Sequence, residues 1–145
     1  MTYDPRVFHW NSAYLNSLNV DDQNKIFESK KQQAIRVIRI LKLDNTQTII
    51  DFGSGPGYIA SHIAPFIKKL YCIDVSQSFI DVAKMYTKDH NNIEYIKINF
   101  ADFEQIPQVD SIYCLALFIH FTLYDIFTHL TELYNCLKPG GQLFF

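Results

Sequence analysis

At 145 residues, 48% of them hydrophobic and 19% charged, the chain has material for a single core and too much of it to stay disordered. A formal net charge of -2 leaves no basic surplus for a phosphate backbone, which argues against nucleic acid as the main partner. No apolar run reaches the length of a membrane span, the opening "MTYDPRVFHW" lacks a signal-peptide layout, and Cys72, Cys114 and Cys136 form no C-x-x-C pair. The expectation is reduced, buried thiols in a cytoplasmic protein without a membrane segment.

The elements alternate along the chain. Residues 22–42 predict a helix, with Ile26, Ile35, Ile38 and Leu41 recurring at helical spacing among Lys, Arg and Gln. "TQTIIDF" (46–52) is short, β-branched and closed by glycine, which predicts a strand. A helix is expected to start near Gly57 and stop near Pro65, whose ring nitrogen cannot donate. "LYCIDV" (70–75) is a second strand, and Ser76 caps a helix running to about Lys88. "IEYIKI" (93–98) and "SIYCLAL" (111–117) are the third and fourth strands. Thr122 and Asp125 form a capping-box pattern before a helix with Ile126, Leu130, Leu133 and Leu137 on one face. "KPGG" (138–141) reads as a turn, and "QLFF" (142–145) begins a fifth strand. Strand-helix alternation predicts an α/β fold, a Rossmann-like doubly wound parallel sheet with ligands beyond the carboxyl ends of its strands.

The stretch "IIDFGSGPGYIA" (49–60) lies at such an end, with Gly53, Gly55 and Gly57 following Asp51. A strand-to-helix loop needs residues that tolerate positive φ and that let backbone approach a ligand; alone, the same pattern serves a plain tight turn. The third glycine comes one residue too early for the dinucleotide pattern G-x-G-x-x-G, which disfavours a nicotinamide cofactor. Asp74 ends the second strand at about the 20-residue separation where an acid meets a ribose, although it could simply help cap the next helix. Asp102, in "NFADFEQIP", follows the third strand and is suited to an adenine amino group or to plain solvation.

Five motifs in this order resemble the class I S-adenosylmethionine-dependent methyltransferases, over nearly all of residues 46–145. "IIDFGSGPGYIA" is similar to the family's D-x-G-x-G-x-G, "CIDVSQSFIDVAK" to its ribose-binding strand end, and "ADFEQIP" to its adenine loop. "VDSIYCLALFIHF" resembles its fourth strand and "LKPGGQLFF" the passage into its fifth. The resemblance implies S-adenosylmethionine as cofactor. Gly53, Gly55 and Gly57 would form its loop, with backbone near the first two facing the methionine part and Asp51 helping to fix the amino end. Asp74 would hold the ribose hydroxyls and Val75 would pack on adenine. Asp102 and Phe103 would read the adenine edge, and Leu115 with Ala116 would line the path to the sulfonium. The implied activity is methyl transfer to an oxygen, nitrogen or carbon of a small-molecule acceptor.

A sulfonium methyl is already activated, so the enzyme mainly aligns the nucleophile and excludes water. Where a base is needed, His120 is the best-placed candidate, and a packed structural histidine is the alternative. His62, His90, His120 and His129 lack metal-ligand spacing, so no metal is expected. Residues 1–45 are expected to form an N-terminal segment and helix, the aromatics Tyr3, Trp10 and Tyr14 making either a candidate lid or plain packing against the domain with no ligand role; residues 46–145 form the core of a single domain. The family continues beyond its fifth strand, so stopping at "QLFF" predicts an exposed edge, open to self-association or a partner. A noncatalytic S-adenosylmethionine-binding or regulatory domain is the alternative reading.

Overall fold

The computed structural model describes residues 19–99 and 102–145. Helix α1 spans Val20–Leu41 and is capped by Asn19, whose side chain accepts from the Asp22 amide at 2.9 Å. Strand β1 (Thr48–Phe52) leads through the glycine loop into α2 (Tyr58–Ile63), which tightens into a 3-10 turn at Ala64–Phe66, where Pro65 sits. Strand β2 (Lys69–Asp74) precedes α3 (Gln77–Tyr86), and Ser76 caps that helix by accepting from Phe79 N. Strand β3 (Ile93–Lys97), a 3-10 turn at Phe103–Gln105 and β4 (Val109–Tyr113) follow. A 3-10 turn at Phe118–His120 then leads to α4 (Leu123–Asn135), which opens with the expected Thr122–Asp125 capping box, and β5 (Leu137–Phe144) completes the sheet.

All pairings are parallel, in the order β3-β2-β1-β4-β5. From β1 the chain builds outward through β2 and β3, then returns to place β4 on the other side of β1. The crevice at the β1/β4 tips is therefore the switch point where open α/β sheets take ligands. Ala34, Val37 and Leu41 of α1 with Ala60 and Ile63 of α2 cover Ile49, Leu70 and Cys72 on one face. Leu133 of α4, Cys136, Ile98, Phe103 and Ile106 cover Ile50, Ile73 and Ile112 on the other. The inner strands are almost wholly buried, whereas the edge strands β3 and β5 are largely half-buried or exposed. Apolar on both faces is thus a property of the sheet's centre.

Two boundaries differ from expectation. The "KPGG" stretch is no turn outside the sheet but part of β5. Val109 faces Leu137 and Ser111 faces Gln142, so residues 138–141 bulge opposite Asp110 alone. Pro139 has no amide to pair and Gly140 takes φ +81°, both of which an edge bulge tolerates. Asp110 fastens the bulge by accepting from Lys138 Nζ at 3.0 Å and from the Thr48 amide at 2.8 Å. Leu137 accordingly opens the strand and is not on the helix. Strand β4 ends at Tyr113, four residues earlier than the apolar run, because the backbone turns left-handed at Ala116. The segment bearing Tyr3, Trp10 and Tyr14 lies outside the described residues. Among the described residues no helix is long and apolar enough to cross a membrane.

Candidate cofactor site

Three strand tips are laced together by backbone hydrogen bonds. The amides of Gly53 and Ser54 both donate to the Ile73 carbonyl, at 2.8 and 3.0 Å, which folds the glycine loop over the end of β2. The Ile98 amide donates to the Asp74 carbonyl at 3.1 Å, drawing the segment after β3 to the same place. Gly53, Gly55 and Gly57 all take positive φ, at 78°, 52° and 77°. L-residues pay about 1–2 kcal/mol for that conformation. A Cβ on Gly53 would come within 2.9 Å of the Leu117 side chain, and one on Gly57 within 2.7 Å of Ala83. A Cβ on Gly55 would meet nothing within 4 Å, so this glycine presents bare backbone to the crevice.

Asp74 is the clasp of the arrangement. One carboxylate oxygen accepts from the Ser76 amide and the other from the Gly55 amide, both at 2.8 Å. Gly55 and Asp74, 19 positions apart, thus meet directly. Burial raises the Asp74 carboxyl above its ordinary value, opposed by the amides of Ser76, Gly55 and Val75. Two hydrogen bonds leave lone-pair positions on this carboxylate, which offers about four. Val75 beside it packs against the cluster that contains Phe52, Ile73 and Phe103.

Asp51, next to last in β1, is buried, with its Oδ2 unpartnered among the described residues. Burial pushes its carboxyl up to about 7; the Tyr113 hydroxyl offsets part of that rise and the nearby Asp74 adds to it. Asp102 is exposed, at the head of the 3-10 turn, with its amide donating to the Asn99 carbonyl at 3.0 Å. Phe103 is buried and stacks on Phe52 with ring centroids 5.8 Å apart.

Leu115, Ala116 and His120 occupy the loop beyond β4. Leu115 is half-buried, whereas Ala116 and His120 are exposed. Ala116 adopts φ +57°, a conformation that non-glycine residues keep only where the surroundings hold them. That turn lays Leu117 on Gly53. His120 closes the 3-10 turn, its amide donating to the Leu117 carbonyl at 3.0 Å.

Three further residues shape these strand tips without a signal in the sequence. Leu117 carried no signal beyond apolarity. Tyr113 lay inside an apolar strand and reveals itself only through register, which sets it beside Asp51. His129 is buried on α4, 2.7 Å through Nδ1 from the Asp125 carbonyl, so Nδ1 carries the proton. Its ring contacts Phe121, Phe103 and Phe52 at centroid distances of 4.7, 5.4 and 6.1 Å, joining α4 to the tips of the sheet.

Residues 50–145 match a family described as "Methyltransferase domain". The chain belongs to that methyltransferase-domain family. It is 25% identical over 104 residues to the N-demethylindolmycin N-methyltransferase of Streptomyces griseus, covering 69% of this chain and 44% of that protein. It is 30% identical over 94 residues to a ubiquinone biosynthesis O-methyltransferase of Rickettsia bellii, covering 64% of this chain and 38% of that one. Among solved structures it is similar to the N-methyltransferase NodS from Bradyrhizobium japonicum WM9 in complex with S-adenosylhomocysteine. That match has a TM-score of 0.69 at 21% identity and covers 81% of this chain and 60% of NodS; the likeness is one of fold. The chain spans less than half the length of these two relatives. The methyltransferase-domain fold is thus present from the first glycine to the fifth strand.

Proposed function

We propose that this domain binds S-adenosylmethionine at the β1/β4 switch point and transfers its methyl group to a small-molecule acceptor. The observation that carries the reading is the contact between Gly55 and Asp74, where bare backbone and a carboxylate share one crevice. In this reading Asp74 turns its remaining lone pairs to the ribose hydroxyls and Val75 lies against adenine. Asp102 and the Phe103 backbone take the adenine edge, while Asp51, with its unpartnered oxygen, takes the amino end. The donor set suits such a group: acids for hydroxyls and an ammonium, and open space over Gly55. When bound, the cofactor supplies an activated methyl; Leu115, Ala116 and Leu117 then shape the approach and keep water out. His120 removes a proton from acceptors that must lose one.

The matched relatives are named for methyl transfer to nitrogen or oxygen, which supports a small-molecule acceptor over nucleic acid. Three buried, unbridged cysteines support a reducing compartment such as the cytoplasm. The division into a lid-bearing segment over residues 1–45 and a core over 46–145 belongs to the same reading.

Calorimetric titration with S-adenosylmethionine, S-adenosylhomocysteine and NAD tests the cofactor. The first two are expected to bind and NAD is not. Incubation with a methyl-labelled cofactor and a metabolite pool tests transfer; binding without transfer would favour the noncatalytic reading. NAD binding alone would overturn the proposal.

A further inference from the structure

One rung of residues crosses the entire sheet: Tyr95, Cys72, Asp51, Tyr113 and Phe144 are register partners from β3 to β5. Partners in a parallel ladder point to the same face, on strands about 4.8 Å apart. Tyr113 is wholly buried within the cluster under α1 and α2. There a phenylalanine would fill the space without a hydroxyl to satisfy, and a buried hydroxyl without a partner is destabilising. Among the described residues the buried side-chain atoms without a hydrogen-bond partner are Tyr113 OH, Asp51 Oδ2 and Ser54 Oγ. All three belong to the tip of β1, the loop leaving it and the strand beside it. Three unsatisfied polar atoms at one place in an otherwise apolar face mark a site built to receive a polar group.

We propose that Tyr113 is a positioning residue for the amino end of the cofactor: its phenol, beside Asp51 on the same rung, turns to donate to one Asp51 oxygen as the other oxygen receives the ammonium. This rests on the cofactor reading above and deepens it. An ammonium carries three donors and no acceptor, which Asp51 Oδ2 and Ser54 Oγ can receive. A carboxylate with one oxygen held by a hydroxyl keeps a fixed orientation for the other. The same hydroxyl opposes the effect of burial on Asp51, which favours the ionised form that an ammonium requires.

The test compares wild type with Tyr113→Phe, which keeps the ring and removes only the hydroxyl. Two ligands are titrated: S-adenosylmethionine, and 5′-methylthioadenosine, which shares the nucleoside but lacks the amino-acid end. The inference predicts about a tenfold loss of affinity for the first and a change under twofold for the second. A purely structural tyrosine would weaken both alike; equal losses, or none for S-adenosylmethionine, overturn the inference. Should Tyr113→Phe not fold, wild-type chain with 13Cζ-labelled tyrosine gives a second reading. The Tyr113 resonance is expected to move with S-adenosylmethionine and to stay in place with 5′-methylthioadenosine; the same shift with both overturns the inference. Wild type that binds neither ligand would overturn the cofactor reading itself, an outcome distinct from either result on Tyr113.

Discussion

Gly55 and Gly57 stand two positions apart, both at positive φ, yet they answer to different neighbours. Gly57 touches Ala83 of α3, so Gly57→Ala adds steric overlap to left-handed strain and is expected to cost about 2–4 kcal/mol of stability. Gly55→Ala adds strain alone, about 1–2 kcal/mol. Its new methyl enters the crevice, so cofactor affinity should fall at least tenfold in a chain that still folds. Denaturation midpoints and calorimetry on the two variants separate packing from ligand approach; equal effects on both properties would contradict the assignment. The sequence exposed the glycines because their chemistry is rare. It could not tell a packed glycine from an open one, since Ala83 meets Gly57 only after α3 is docked. Ala116 is the converse case: its positive φ is imposed by the loop around it, and nothing in an alanine announces that.

Among the elements, those with local causes were legible. Ser76 and the Thr122–Asp125 pair cap their helices as the sequence predicts, because capping is settled within four residues. Alternating apolar runs placed all five strands. The failures have tertiary causes. "KPGG" has the composition of a turn, but Asp110 on the neighbouring strand holds it in a bulge. The apolar run after Tyr113 looks like more strand, yet those residues bend over the glycine loop instead of pairing along β1. Tyr113 carries no sign of its role within its own strand, because a register is a relation between two strands, which neither strand contains alone.

At the scale of the whole molecule, the strand order converts distant residues into one crevice and buries two acids near each other. Both Asp51 and Asp74 have carboxyls raised by burial, Asp51 to about 7. Between the ordinary carboxyl value of 3.8 and about 7, the unfolded chain has released a proton that the folded chain still holds. Folding therefore weakens as pH rises through that window and levels off above it. The unliganded protein is expected to melt several degrees higher at pH 5 than at pH 7.5, at about 2–4 °C per kcal/mol for a domain of this size. Saturating S-adenosylmethionine, whose ammonium favours ionised Asp51, should narrow the difference. A melting temperature that rises across this window would contradict the burial of the two acids.

The central claim is that Gly55 and Asp74 share a crevice that grips a sulfonium nucleoside. The most direct measurement is calorimetric titration of S-adenosylmethionine into wild type and Asp74→Asn, with the folded fraction of each checked by circular dichroism. Asparagine keeps the side chain's size and loses the charge that holds two hydroxyls. The account predicts tight binding to wild type and at least a tenfold loss in the variant. Equal affinity in two equally folded proteins would contradict it.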